Sequence, residues 1–455
     1  MAPSAGADGG LARRVARLDD HHVRQGARCL LLERLGLNEA RPVSPVEAAM
    51  NTDIVVLLVF VFVYIGMILG RIPGLALDRT GVALLGAIVL VTLGRVTVPE
   101  LSTVIDIPTL SLLFGLMVVS AQFRMSGFYS RLVRRLAEID VSPPALLALL
   151  IGTVGVLSAL LANDIVCLAV APVLVEGCAR RGLNPKPYLL ALACAANVGS
   201  AATLIGNPQN MLIGQVLKLS FGGYLLDAGV PAVLGLAAVW AVICLHSRGR
   251  WRMQVQAPDV EAAPFDTWQT CKGAALLILL IVAFLVGKWP REILALAAAG
   301  YLLCSRRMES REMLGLVDWQ LLVLFMSLFV VNHALGASGA MSAATGCLAA
   351  AGVRLDEPPW LFGASVVLSN LVSNVPAVML LIPSAVHPLA GPVLALSSTL
   401  AGNLCIVGSI ANIIVVDQAG RLGVRISWRE HAKVGVPVTL LTLGIAAGWL
   451  WLIAP

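Results

Sequence analysis

Apolar residues in this chain run in long unbroken stretches, over 54–70, 81–96 and 110–123 early in the sequence and over 274–286, 293–304, 321–335 and 434–452 later. A bilayer core of about 30 Å takes roughly 20 apolar residues of helix, so each stretch predicts a membrane-spanning helix, and 224–245 predicts another. Residues 124–140 form an amphipathic, basic segment. The apolar run 143–162 then breaks at Asn163-Asp164 and resumes over 165–178, with limbs short for a full crossing, which predicts a re-entrant helical hairpin. The run 188–217 is too long for one span and is interrupted from Gly199 to Asn210, which predicts a broken helix. After a polar loop over 246–270 the plan repeats: three spans, a hairpin with its tip at Ser373-Asn374-Val375-Pro376, a helix broken from Gly402-Asn403 to Gly408-Ser409-Ile410-Ala411-Asn412, and a last span.

The repetition is visible in the residues. Leu157-Ser158-Ala159-Leu160-Leu161-Ala162-Asn163 matches Leu368-Ser369-Asn370-Leu371-Val372-Ser373-Asn374 at an offset of 374 − 163 = 211, which also sets Pro172 on Pro383. The segment from Gly206 to Asn210 matches Gly408 to Asn412 at 408 − 206 = 202. The expected fold class is therefore an all-α polytopic membrane protein of two repeats, 50–246 and 271–455, joined by a cytoplasmic linker loop, 247–270.

Composition agrees. The chain has 455 residues, 58% of them hydrophobic and 13% charged, whereas soluble chains carry roughly 25% charged residues. The basic excess of +6 sits in short loops beside apolar runs, which marks it as an orientation signal and not a nucleic-acid surface. The arginines near 71–79, 124–135, 180–181, 248–252, 306–311 and 421–429 all fall on one, cytoplasmic side when each hairpin is counted as re-entrant. Glu100, Asp106, Asp356 and Glu357 fall opposite. The two repeats then cross the membrane in inverted orientation. The Arg-rich tail 1–49 conflicts with this, since it would lie outside; translation starting at Met50 would remove the conflict.

The nine cysteines are scattered among apolar stretches without metal-ligand spacing, and no Walker A, dinucleotide-loop or HExxH motif occurs. An ATP-driven pump or a soluble redox enzyme is not expected, and a polytopic membrane enzyme is disfavoured by the lack of clustered acid/base or metal-binding groups. No cofactor is expected.

The candidate chemistry lies in the four polar interruptions. Non-helical backbone at membrane depth survives only where protein or a water-filled cavity satisfies it, and exposed helix N-termini favour anions while free carbonyls ligate cations. Candidate substrate- and ion-binding residues are Asn163, Asp164, Thr203, Gly206, Asn207, Asn210, Ser373, Asn374, Asn403, Gly408, Ser409 and Asn412. Asp164 has Val375 at its aligned position, so a proton-carrying or cation-ligating carboxylate exists in one half only; alternatively it only caps the second limb of its hairpin. The asparagines and serines suit an oxyanion or a small hydroxylated acid, or else serve to satisfy broken backbone. Gly199, Gly206, Gly402 and Gly408 would permit the unwinding. Asn332-His333, late in a span, is a weaker candidate.

Ala162-Asn163-Asp164, Gly206-Asn207-Pro208-Gln209-Asn210, Ser373-Asn374-Val375-Pro376 and Gly408-Ser409-Ile410-Ala411-Asn412 resemble the ion transporter superfamily, which includes arsenite permeases, sodium/proton antiporters, citrate transporters and divalent-anion symporters. The resemblance implies an elevator mechanism, in which hairpins and broken helices slide against a scaffold that commonly dimerises. The Ser-Asn-Thr signature of the dicarboxylate carriers is absent from both tips, which favours proton-coupled movement of a small anion or neutral oxyacid. The expected function is secondary transport of a small anion or oxyacid across the inner membrane, coupled to protons or sodium, the latter at the same residues. The alternative is sodium/proton antiport. Expected partners are the substrate, the lipid bilayer and a second copy of the chain.

Overall fold

The computed structural model describes residues 53–70, 74, 76–253 and 264–454; the tail 1–49, with the expected start at Met50, lies outside the described residues. Among the described residues the regular structure is helical, with twenty α-helices and a single isolated bridge, Leu183 to Arg252. The first ten are α1 (Ile54–Leu69), α2 (Arg79–Thr92), α3 (Leu101–Val104), α4 (Ile107–Met125), α5 (Phe128–Glu138), α6 (Pro143–Leu160), α7 (Asn163–Arg180), α8 (Pro185–Ser200), α9 (Pro208–Val216) and α10 (Phe221–His246). The second ten follow the same order: α11 (Thr267–Val286), α12 (Arg291–Leu303), α13 (Ser310–Gly315), α14 (Trp319–Ala337), α15 (Ala340–Ala350), α16 (Pro358–Val372), α17 (Asn374–Leu381), α18 (Ala390–Ala401), α19 (Ile410–Arg421) and α20 (Trp428–Leu452). By length and hydropathy α4, α6, α10, α11, α14 and α20 can each cross a bilayer.

Five aspartates beside the apolar runs are helix caps. Asp53, Asp78, Asp106, Asp266 and Asp318 each accept a backbone N–H in the first turn of the helix they precede, which satisfies a donor that the helix itself cannot. Asp106 and Asp318 do so at equivalent positions of the two halves (318 − 106 = 212). The turns that follow α4 and α14 are also equivalent. Gly127 (φ 69°) and Gly339 (φ 76°) adopt the left-handed conformation there, which a side chain would disfavour.

Packing exchanges the halves in the way a two-fold relation requires. Helix α4 of the first half lies on α12 of the second, and α14 of the second lies on α2 of the first; α6 packs on α8 and α16 on α18; α10 and α20 pack on each other. The α4–α12 contact is close because Gly115 faces the Ala295 backbone, where a Cβ would come within 2.6 Å of a carbonyl carbon.

The structure moves some expected boundaries. The first hairpin turns at Leu161-Ala162, ahead of Asn163-Asp164, because Asn163 already opens α7. The final span begins at Trp428, where Ser427 and Glu430 form a capping box. The sequence pattern gave no sign of α15. Ion pairs join segments distant in sequence: Asp53 with Arg95 at 2.9 Å, Lys186 with Glu430 at 2.6 Å and Asp266 with Arg307 at 3.6 Å.

Candidate functional site

The hairpin tips carry matched, unpartnered polar atoms. Asn163 opens α7 and Asn374 opens α17, and the Oδ1 of each is buried without a hydrogen-bond partner among the described residues. The same holds for the hydroxyls of Ser158 and Ser369, which precede the tips at the same offset (369 − 158 = 211). A buried polar atom left unpaired costs about 1–3 kcal/mol, and four of them lie in symmetric positions of the two hairpins.

The two tips are supported differently. At the first, the Ala162 N–H donates to Ser120 Oγ of α4 at 3.1 Å. Asp164 stands in the first turn of α7, half-buried, and makes no hydrogen bond or ion pair among the described residues. The capping reading of Asp164 is therefore corrected: Ala162 occupies the N-cap position and no side chain caps α7. At the second tip Ser373 holds φ 78° and ψ 160°, a region essentially reserved for glycine. Asn332 belongs beside this tip, since it accepts from Tyr64 Oη at 3.0 Å, and the same hydroxyl lies 3.4 Å from the Pro376 carbonyl.

Each broken helix unwinds next to the hairpin of its own half. In the first half, Asn210 Nδ2 donates to the carbonyls of Ser200 (3.3 Å) and Thr203 (2.9 Å). In the second, Asn412 Nδ2 donates to those of Gly402 (2.8 Å) and Cys405 (3.1 Å), each partner displaced by 202. Asn207 and Ser409 cap the helices that resume, accepting from the N–H groups of Asn210 at 2.9 Å and Ala411 at 3.2 Å. The Thr203 hydroxyl ties the first break to the Ala159 carbonyl in α6, and Cys405 Sγ meets Asn370 Oδ1 of α16 at 3.5 Å.

Gly206 and Gly408 serve by close approach rather than by unusual backbone. Neither they nor Gly199 and Gly402 have positive φ. A Cβ on Gly206 would lie 2.3 Å from the Ser200 carbonyl oxygen, and one on Gly408 would lie 3.0 Å from Asn370 Oδ1.

Four residues outside the expected set complete the arrangement. Asn197 of α8 donates through Nδ2 to Asn403 Oδ1 (2.8 Å) and Asn412 Oδ1 (3.0 Å), and its Oδ1 accepts from Ser409 Oγ (2.7 Å). Thr399 of α18 does the converse work in the first break, where its hydroxyl accepts from Asn207 Nδ2 (3.3 Å) and Gln209 Nε2 (3.1 Å) and donates to Asn210 Oδ1 (3.4 Å). Tyr224 of α10 donates to the Ala201 carbonyl at 2.7 Å, and His431 of α20 meets the Asn403 carbonyl at 3.1 Å through Nε2. The signal that could have found Asn197 and Thr399 is a polar residue inside each apolar limb at the offset already established for the breaks.

Two hairpins and two broken helices, linked across the halves within a bundle of apolar spanning helices, define a membrane transporter rather than an enzyme. The chain belongs to the citrate transporter family, CitMHS, whose model matches residues 60–396. It is 29% identical to an uncharacterized transporter of Mycobacterium tuberculosis over 88% of this chain and 98% of that one. It is 28% identical to the silicon efflux transporter LSI3 of Oryza sativa, over 82% and 92% of the two chains. The crystal structure of the Alcanivorax borkumensis YdaH transporter shares the fold, with a TM-score of 0.54 at 16% identity over 88% of this chain and 96% of that one.

Proposed function

We propose that this transporter is a secondary carrier that moves a small anion or oxyacid across the inner membrane, coupled to protons or sodium. The observation that carries the reading is the set of buried, unpartnered polar atoms at the hairpin tips beside an unpaired carboxylate, Asp164. Of the twelve residues expected from the sequence, Asn163, Asp164, Asn374 and Asn403 contact substrate or coupling ion, while Thr203, Gly206, Asn207, Asn210, Ser373, Gly408, Ser409 and Asn412 hold the breaks and the second tip in shape around them. A relative named as a silicon efflux transporter favours a neutral or weakly acidic oxyacid.

Movement is by an elevator. The cross-links of Asn197 and Thr399 bind the two breaks into one unit that can travel as a body, with α1–α4 and α11–α14 as its track. The halves 50–246 and 271–455, joined by 247–270, lie inverted in the membrane; the ion pairs of Lys186 with Glu430 and of Asp266 with Arg307 support this, because each joins two segments expected on the cytoplasmic side.

Sodium/proton antiport is the second reading, favoured by the lack of a partner for Asp164. Proton flux into proteoliposomes of this chain separates the two, with arsenite, silicate, citrate, succinate, sulfate and sodium supplied one at a time and Asp164→Asn as control. An oxyacid or anion that drives flux in the wild type but not in the variant supports the carrier; flux driven by sodium alone makes it an antiporter.

A further inference from the structure

The two breaks differ where they begin: Ala201, the first residue past α8, has Asn403, the second past α18, at its equivalent position (403 − 201 = 202). Asn403 is 0% exposed. Its carbonyl faces His431 Nε2 and is so close to Gly435 that a Cβ there would come within 2.4 Å of the oxygen. Its Oδ1 accepts from Asn197. Its Nδ2 has no partner among the described residues.

The orientation of that amide is forced by its neighbours. Asn412 faces two carbonyls, of Gly402 and Cys405, which only an –NH2 group can satisfy, so its Oδ1 must turn toward Asn197. An oxygen there requires a donor, so Asn197 presents Nδ2, and its Oδ1 takes the Ser409 hydroxyl. Asn197 Nδ2 in turn requires an oxygen from Asn403. The unpartnered group is then a donor, fixed by a relay that starts at backbone carbonyls.

We infer that Asn403 is a specificity-determining residue whose Nδ2 donates to an acceptor oxygen of the transported oxyacid or anion. The inference rests on the proposed substrate class and adds a donor that has no counterpart in the first half, where Ala201 stands at the same register. An –NH2 donor cannot ligate a cation, so the coupling ion binds elsewhere, and the buried Oδ1 atoms of Asn163 and Asn374 have the right polarity for it.

The test is thermal stabilisation of the detergent-solubilised full chain by silicate, arsenite and citrate, titrated separately against wild type, Asn403→Ala and Asn403→Asp. Alanine already occupies this register in the first half, and aspartate keeps the oxygen that Asn197 requires while removing the donor. The expected result is that at least one oxyacid stabilises the wild type and that both variants need at least tenfold more of it for the same shift. The inference is overturned if no oxyacid stabilises the wild type, or if either variant keeps the wild-type concentration dependence. Stabilisation that both variants lose, together with absent coupled flux in proteoliposomes, leaves the donor assignment standing and removes only the secondary-transport reading.

Discussion

Asn197 and Thr399 hold the same register in the two broken helices (399 − 197 = 202), and the side chain of each crosses to hydrogen-bond the break of the other half. Each break is therefore shaped by the opposite repeat. The pair is chemically unequal, since the Asn197 amide supplies two N–H donors and an acceptor oxygen where the Thr399 hydroxyl supplies one donor and two acceptor positions.

This inequality has a measurable consequence. Asn197→Ala leaves Asn403 Oδ1, Asn412 Oδ1 and the Ser409 hydroxyl without their partner in a buried site, at about 1–3 kcal/mol for each unsatisfied group. Thr399→Val keeps the volume, and because Asn207 Nδ2 retains Ser200 Oγ, only Gln209 Nε2 and Asn210 Oδ1 lose their partner. Thermal unfolding of the purified variants is expected to show the larger loss for Asn197→Ala; equal losses would mean the network is not cooperative across the halves.

Asp164→Asn is expected to leave stability within about 0.5 kcal/mol of wild type, because the carboxylate has no hydrogen bond or ion pair to lose among the described residues. Coupled flux is expected to vanish. A variant that unfolds, measured by size-exclusion profile and melting temperature, would assign Asp164 a structural role instead.

The breaks differ in how much room their glycines have. Gly206→Ala drives a methyl to 2.3 Å from a backbone oxygen that cannot yield without moving the turn, whereas Gly408→Ala meets its nearest atoms at 3.0 Å. Overpacking of the first kind costs about 1–3 kcal/mol, so Gly206→Ala is expected to lower the melting temperature clearly more than Gly408→Ala. The reverse order would show that the first break relaxes more readily than its contacts suggest.

Ser373 carries a backbone conformation that costs about 1–3 kcal/mol in a residue with a side chain. Ser373→Gly is expected to stabilise the protein by about 1 kcal/mol, read as a higher melting temperature of the solubilised chain. A fall instead would mean that the Ser373 side chain contributes more than the strain costs.

The sequence by itself determined the fold class, the hairpins, the broken helices and the repeat, because length of apolar run, helix-breaking residues and a constant offset are local properties. It also pointed to Asn163, Asn374 and Asn403, each of which keeps a buried polar atom without a partner among the described residues. Its alternative reading of Asp164 as a cap fails, because capping depends on where the turn closes, and the close backbone approach at Gly206 and Gly408 depends on which chain passes them. Asn197 and Thr399 stand at the offset of the breaks, but their partners, like those of Tyr224 and His431, could be recognised only in three dimensions. Each lies inside a regular helix and acts on a break reached through packing, 212 residues away in the case of Ser409 and Asn197. Which polar atoms remain without a partner, and hence which are available to a ligand, is a property of that whole network, and only the tertiary structure decides it.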